Sequence, residues 1–225
     1  MTTPPPGLRD RKKQATREAL REAALRLALE RGPDNVRVED IAEAAGVSPR
    51  TYNNYFASRE QAIVSAVTAD REARIAAAVA ARPSGVRLAD AVTDAVVEQY
   101  TTTDDHAPQL LLITTRPALR HAFLDATAAI EPPLTAVLAE RLGSGADVPI
   151  ARVLAASVAA AVRIAVESWI RPTESADAGG LVVPTGSLPD RLRAALAPLA
   201  PAFDAAEAEA EADAEAETET APDPA

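Results

Sequence analysis

The 225-residue sequence has no cysteine, which excludes disulfides, thiol catalysis and thiolate metal sites. Aromatic residues make up only 3% of it, with one Trp, three Tyr and three Phe. Packing must therefore rest on Ala, Leu and Val, a composition that favours close-packed helices over a β-sandwich. Nothing reads as a run of strands, so the expected fold class is all-α. No uninterrupted apolar run reaches membrane-spanning length, and residues 1–7 are Pro-rich where a signal peptide would be apolar. The expectation is a cytoplasmic chain with no membrane partner. P-loops, dinucleotide fingerprints and nucleophile motifs are also missing, so neither an enzyme nor a cofactor is expected. Asp104, Asp105 and His106 are adjacent in a loop-like stretch and do not converge on one ion, so no metal site is expected.

Lys and Arg are absent from residues 204–225, which hold Asp204, Glu207, Glu209, Glu211, Asp213, Glu215, Glu217, Glu219 and Asp223. That tail accounts for nearly all of the formal net charge of -10. Glu207, Glu211, Glu215 and Glu219 stand at i, i+4 spacing, where like charges oppose a helix, so the tail reads as disordered. Its expected roles are solubility and competition for a basic segment elsewhere in the chain. Residues 9–31 carry the opposite balance. There Arg9, Arg11, Lys12, Lys13, Arg17, Arg21, Arg26 and Arg31 outnumber Asp10, Glu18, Glu22 and Glu30. A localised basic segment of this kind suits phosphate contact whatever the total charge.

Residues 38–58, VEDIAEAAGVSPRTYNNYFAS, organise the chain. Val38, Ile41, Ala42 and Ala45 fall at i, i+3, i+4 and i+7, the stripe of a short helix. Gly46 ends that helix, since glycine tolerates the positive φ of a tight helix C-terminus. Ser48 is a good N-cap and Pro49 a good first residue for a second helix. Two short helices joined in this way form a helix-turn-helix. Tyr52 and Phe56 are four apart and can face inward, which leaves Arg50, Thr51, Asn53, Asn54 and Tyr55 facing elsewhere. Arg forks onto guanine, Asn onto adenine, and hydroxyls suit phosphates. Arg50, Asn53 and Asn54 are the candidate base readers. Ser48, Thr51, Tyr55, Arg59 and Arg37 are the candidate backbone contacts.

Residues 15–63 resemble the N-terminal domain of TetR-family transcriptional regulators. The resemblance rests on AALRLALERG, on V-x-D-I-A-x-x-A-G-V, on S-x-x-T-x-x-x-Y-F and on S-R-E. It implies a dimer on a palindromic double-stranded operator, a small-molecule effector that releases DNA, and a fourth helix that joins head to body as the lever of the switch. It also implies that the basic entry at residues 9–13 reaches along the DNA backbone or into the minor groove. Two positions depart from the family pattern. Ala28 stands where an aromatic is frequent, so Leu27, Leu29, Tyr52 and Phe56 are expected to fill the small core. Arg37 replaces the usual Ser or Thr cap of the second helix, an exchange that costs about 1 kcal/mol of capping but adds a cation near a phosphate.

The segments expected are a flexible arm at 1–8, the helix-turn-helix domain at 9–57 and a connecting helix at 58–81 opened by a Ser58/Gln61 capping box. A ligand-binding and dimerisation domain at 86–203 and the acidic tail at 204–225 follow. Within the body, helices are expected at about 88–101, 107–115, 117–142 (broken by Pro132 and Pro133), 149–170 and 188–203. The apolar helix 149–170 reads as the centre of the body, and the resemblance adds pairing with the last helix across a dimer interface. T-R-P-A-L-R-H-A-F at 115–123 and A-V-L-A-E-R-L-G at 136–143 are similar to TetR-family members grouped with the mycofactocin regulator, some of which sense acyl-coenzyme A thioesters. That likeness makes Arg116, Arg120, His121 and Trp169 candidate effector contacts. The competing reading is a helical interaction or scaffold protein whose helix-turn-helix only packs.

Overall fold

A leucine- and alanine-rich stripe on the first helix starts the fold. In the computed structural model, which describes residues 7–68, 70–101, 112, 113, 115–143, 148–170 and 187–219, α1 (Leu8–Arg31) buries Leu20, Ala23, Ala24, Leu27 and Ala28. Gly32, at φ 79°, ends it, and a single 3-10 turn (Pro33–Asn35) leads to α2 (Val38–Ala44) and α3 (Pro49–Tyr52). Arg26 on the wet face of α1 pairs with Glu30. Leu29, expected in the core, is 47% exposed. At 3.6 residues per turn it falls on the face opposite the stripe, and Val36, Ile41, Tyr52 and Phe56 close the core in its place.

The expected single helix over 58–81 is two helices, α4 (Arg59–Val67) and α5 (Arg71–Ala80). Thr68 turns its hydroxyl back onto the Val64 carbonyl, and Asp70 takes a left-handed φ of 56°. Side chains that bond their own turn compete with helix propagation, and a left-handed residue cannot continue it. The chain divides into two compact units at this break, residues 1–69 with 106–126 and residues 70–105 with 127–225.

In the first unit α1 packs on α2 and α4, and α7 (Pro117–Ala126) packs on α4. The segment 117–126, assigned from sequence to the body, thus belongs with the helix-turn-helix by its contacts. The long helix expected at 117–142 breaks into α7, a 3-10 turn (Thr127–Ile130) and α8 (Glu131–Arg141). The break lies one turn before Pro132 and Pro133, because each proline lacks the N–H and crowds the carbonyl four residues back.

The second unit centres on α9 (Val148–Trp169), which packs on α8, the 127–130 turn and α10 (Leu188–Leu196). Ala151, Leu154, Ala155, Val158, Val162, Ala165 and Val166 form its buried side. Around it α5 packs on α6 (Leu88–Thr101) and α8, and α6 on α10. Arg71 at the start of α5 is buried, its guanidinium carbon 4.4 Å from the centre of the Tyr100 ring on α6. By length and hydropathy alone, Pro117–Arg141 and Pro149–Trp169 suffice to cross a membrane. The second buries one apolar side within the unit and exposes Arg152 and Glu167 together with Val153, Ala160 and Ile164.

The acidic tail, expected to be disordered, is helical from Ala200 to Glu219 as α11. Its start is fastened. Phe203 and Ala206 are buried, Asp204 pairs with Arg87 at 2.6 Å, and both Glu207 oxygens accept from the Leu88 N–H at 3.0 Å. Glu207 thereby occupies the positive end of α6. Alanine and glutamate are strong helix formers, and i, i+4 repulsion costs only tenths of a kcal/mol per pair. Once the first turns are fixed, propagation wins. The expected helix at 107–115 lies largely outside the described residues, and the arm's residues 1–6 and Asp104, Asp105 and His106 lie wholly outside them.

Candidate nucleic-acid interface

The corner between α2 and α3 is built by three local devices. Gly46 sits at φ 69°, its N–H bonding the Glu43 carbonyl, while the Val47 N–H reaches back to Ala42 at 2.9 Å. This is the 6→1 and 5→2 pair that closes a helix on a left-handed residue. Ser48 then caps α3, accepting from the Thr51 N–H at 3.1 Å and sharing a hydrogen bond with the Thr51 hydroxyl at 2.9 Å. Pro49 fills the first helical position.

Two aromatic side chains hold α3 in place. Tyr52 is fully buried and Phe56 nearly so, with ring centres 5.8 Å apart. The Tyr52 hydroxyl donates to the Ser58 carbonyl at 2.8 Å. Burial, with the nearby Glu60 charge, pushes the Tyr52 phenol up to about 12. Because the folded value lies above the unfolded one, this group stabilises the unit below about pH 10 and that contribution disappears as the pH rises toward 12. Burial also pushes the Glu60 carboxyl up, but bonds from Arg59, from its own backbone and from Ser58 outweigh it and hold the group below its ordinary range.

With Tyr52 and Phe56 inward, Arg50, Asn53 and Asn54 are exposed, and Thr51 and Tyr55 are half-buried beside them. The face left outward is thus a guanidinium, two carboxamides and two hydroxyls on a rigid corner. Half of the expected Ser58/Gln61 box forms: Ser58 accepts from the Gln61 N–H at 3.1 Å, while the Gln61 side chain passes over the cap residue and accepts from the Ala57 N–H at 2.8 Å.

Three of the candidate backbone contacts are already engaged, Thr51 through its hydroxyl bond to Ser48. The Ser48 hydroxyl serves as the cap. Arg59, expected at a phosphate, turns inward: its Nη1 donates to the carbonyls of Asp34 (3.2 Å) and Val36 (2.9 Å), and its Nε to Glu60 (2.7 Å). It staples the turn before α2 to α4. The cause is geometric, because that 3-10 turn leaves carbonyls without helical partners and Arg59 at the first position of α4 reaches them. Arg37 remains exposed, and its backbone N–H is satisfied by the Asp40 carboxylate at 2.9 Å. Asp40 thus supplies half of a capping box where the hydroxyl is missing.

Arg116, expected at an effector, instead forms an ion pair with Asp34 at 3.1 Å. Arg116, half-buried Arg120 and exposed His121 all belong to the first unit. Half-buried Trp169 belongs to the second. One residue counted from sequence only in the basic balance has a defined place: the Arg17 guanidinium lies over Phe56, 5.3 Å from its ring centre. Its signal in sequence was its position one turn before Leu20, on the α1 face that meets the corner.

Residues 20–66 match the family described as bacterial regulatory proteins, tetR family, and residues 86–204 match the MftR C-terminal domain. The HTH-type transcriptional regulator TcmR of Streptomyces glaucescens is 33% identical over 152 residues, covering 63% of this chain and 67% of TcmR. Among solved structures, the Thermus thermophilus FadR repressor in complex with lauroyl-CoA aligns with a TM-score of 0.45 at 20% identity, covering 82% of this chain and 92% of that one. A TetR-family regulator from Streptomyces coelicolor aligns at 0.41 and 21% identity, covering 90% and 99%.

Proposed function

Since the chain belongs to the TetR family of bacterial transcriptional regulators, we propose that it is a repressor that binds a palindromic operator as a homodimer and is released by a small apolar or amphipathic effector. The observation that carries the DNA-binding part is the exposed Arg50, Asn53 and Asn54 on a corner locked by buried Tyr52 and Phe56. Arg50 and the two Asn residues read base edges, and Thr51, Tyr55 and Arg37 hold phosphates. Ser48 and Arg59 act through the fold, by capping α3 and stapling the turn before α2.

One such corner reads too little sequence alone, and a dimer places two in successive major grooves. The outward side of α9 suits a second copy. Val153 and Ile164 are 64% and 62% exposed, and exposed Ala160 lies between them on the same side. The effector reading rests on family membership and on the match of residues 86–204 to the MftR C-terminal domain, with acyl-CoA and fatty-acid-like molecules as the class proposed. Arg120, His121 and Trp169 are the residues whose substitution tests it. The switch is a shift of population toward a spacing of the two corners that no longer fits DNA.

The deciding experiment selects genomic fragments with the purified protein and titrates the best one with wild type and Arg50→Ala at two salt concentrations. A palindromic site bound by wild type and lost in the variant establishes the regulator. No enriched fragment at either salt concentration refutes it in favour of a purely packing helix-turn-helix. Effector classes are then ranked by the fluorescence of Trp169, the sole tryptophan, during titration with acyl-CoA thioesters and free fatty acids.

A further inference from the structure

We infer that Arg17 is a preorganised DNA-phosphate ligand, a fixed cation at the margin of the recognition corner. The inference rests on the DNA-binding reading above and adds a residue to it. Arg17 is exposed on α1, yet its guanidinium is held 5.3 Å from the centre of the Phe56 ring. Phe56 directly follows Asn53, Asn54 and Tyr55, so the ring that anchors Arg17 also ends the segment that carries the polar face. A cation over an aromatic face keeps its N–H edge available to an acceptor while losing rotational freedom. An arginine held in this way pays less entropy on meeting a phosphate than a free surface arginine does.

Among the described residues, three carboxylates of the first unit are committed to other cations. Glu18, the next residue, pairs with Arg21. Glu60 is bonded to Arg59, and Glu30 lies near Arg26 further along α1. Lys13, one turn before Arg17, is exposed and adds charge of the same sign. A positive guanidinium held over the ring that closes the segment of Asn53, Asn54 and Tyr55 suits the uniform negative charge of a nucleic-acid backbone and carries no base preference of its own.

The test uses the full-length protein, a duplex enriched from genomic fragments by the wild type and a scrambled duplex of equal length, each titrated across a salt series. Arg17→Gln is expected to weaken binding to both duplexes by a similar factor. Its plot of log affinity against log salt should be shallower by about 0.9 for each phosphate that is no longer neutralised. Arg17→Lys should keep the wild-type slope, since charge sets the counterion release. Thermal midpoints of both variants separate this from a merely structural lid on Phe56. A lowered midpoint with an unchanged slope in Arg17→Gln overturns the assignment, and so does weakening confined to the enriched duplex. A wild type with no salt-dependent affinity for either duplex refutes the DNA-binding reading itself and this assignment with it.

Discussion

Among the described helices, the two with the most charged residues, α1 and α11, lie far apart in sequence and differ in what holds them. α1 is 24 residues long, with basic residues concentrated in its first half, and an apolar stripe of five residues runs through its second half. α11 is 20 residues long and acidic, and among its described side chains it buries only Phe203 and Ala206, both in its first two turns. A net charge of one sign is thus placed in two ways. In α1 it is registered against a folded corner, where Arg17 meets Phe56; in α11 it projects beyond a short anchor. The comparison teaches that burial, and not charge, decides where a charged helix can present a defined surface.

The largest expected effects come from removing each helix's anchor. Leu27→Ala should destabilise the first unit by about 3 kcal/mol, and Phe203→Ala the second by a similar amount. The consequences should differ: Leu27→Ala should abolish DNA binding at temperatures where Phe203→Ala merely melts α11. Denaturant titration paired with circular dichroism and a DNA-binding assay checks both, and equal loss of DNA affinity in the two variants would break the comparison.

Next in size is the alkaline response of the corner that α1 supports. With Tyr52 raised to about 12, the first unit should lose on the order of 2 kcal/mol between pH 10 and 12. Tyr52→Phe should abolish that pH dependence while costing about 1 kcal/mol at neutral pH through loss of the bond to Ser58. Thermal melts across that pH range decide it, and an unchanged alkaline decline in Tyr52→Phe would assign the titration elsewhere. A smaller effect is expected at the start of α11. Glu207→Ala should cost about 1 kcal/mol by uncapping α6, and should speed amide exchange at Leu88 and along residues 204–210.

How much of the molecule is legible in sequence follows the same division. The corner at 38–58 is, because Gly46, Ser48, Pro49 and Ser58 act over a few residues and their local roles follow from their types. Tyr52 and Phe56 are readable from spacing alone. The inward turn of Arg59 is not, since it depends on carbonyls 23 and 25 residues away. The same holds for Arg116, whose partner Asp34 is distant in sequence. The break at 68–70 is hidden because Thr68 and Asp70 are ordinary members of a helical pattern until backbone conformation is known. The tail misleads because its like charges weigh against a helix only when its anchor is left out: Arg87 and the Leu88 N–H lie more than a hundred residues earlier.

The smallest predicted effect tests whether the acidic helix matters to DNA at all. Truncation after Ala208 removes seven acidic residues and leaves Phe203, Asp204, Ala206 and Glu207 in place. Stability should stay within about 0.5 kcal/mol, as for exposed residues generally. The net charge becomes much less negative, and long-range repulsion of DNA weakens with it. Affinity for a scrambled duplex should therefore rise about two- to threefold at low salt, with no gain once the Debye length falls to about 3 Å near 1 M salt. Affinity gained equally at both salt concentrations would mean that α11 obstructs DNA sterically. No gain at either would mean that its charge is too far from the recognition corner to be felt, and the function of α11 would then have to be sought away from DNA.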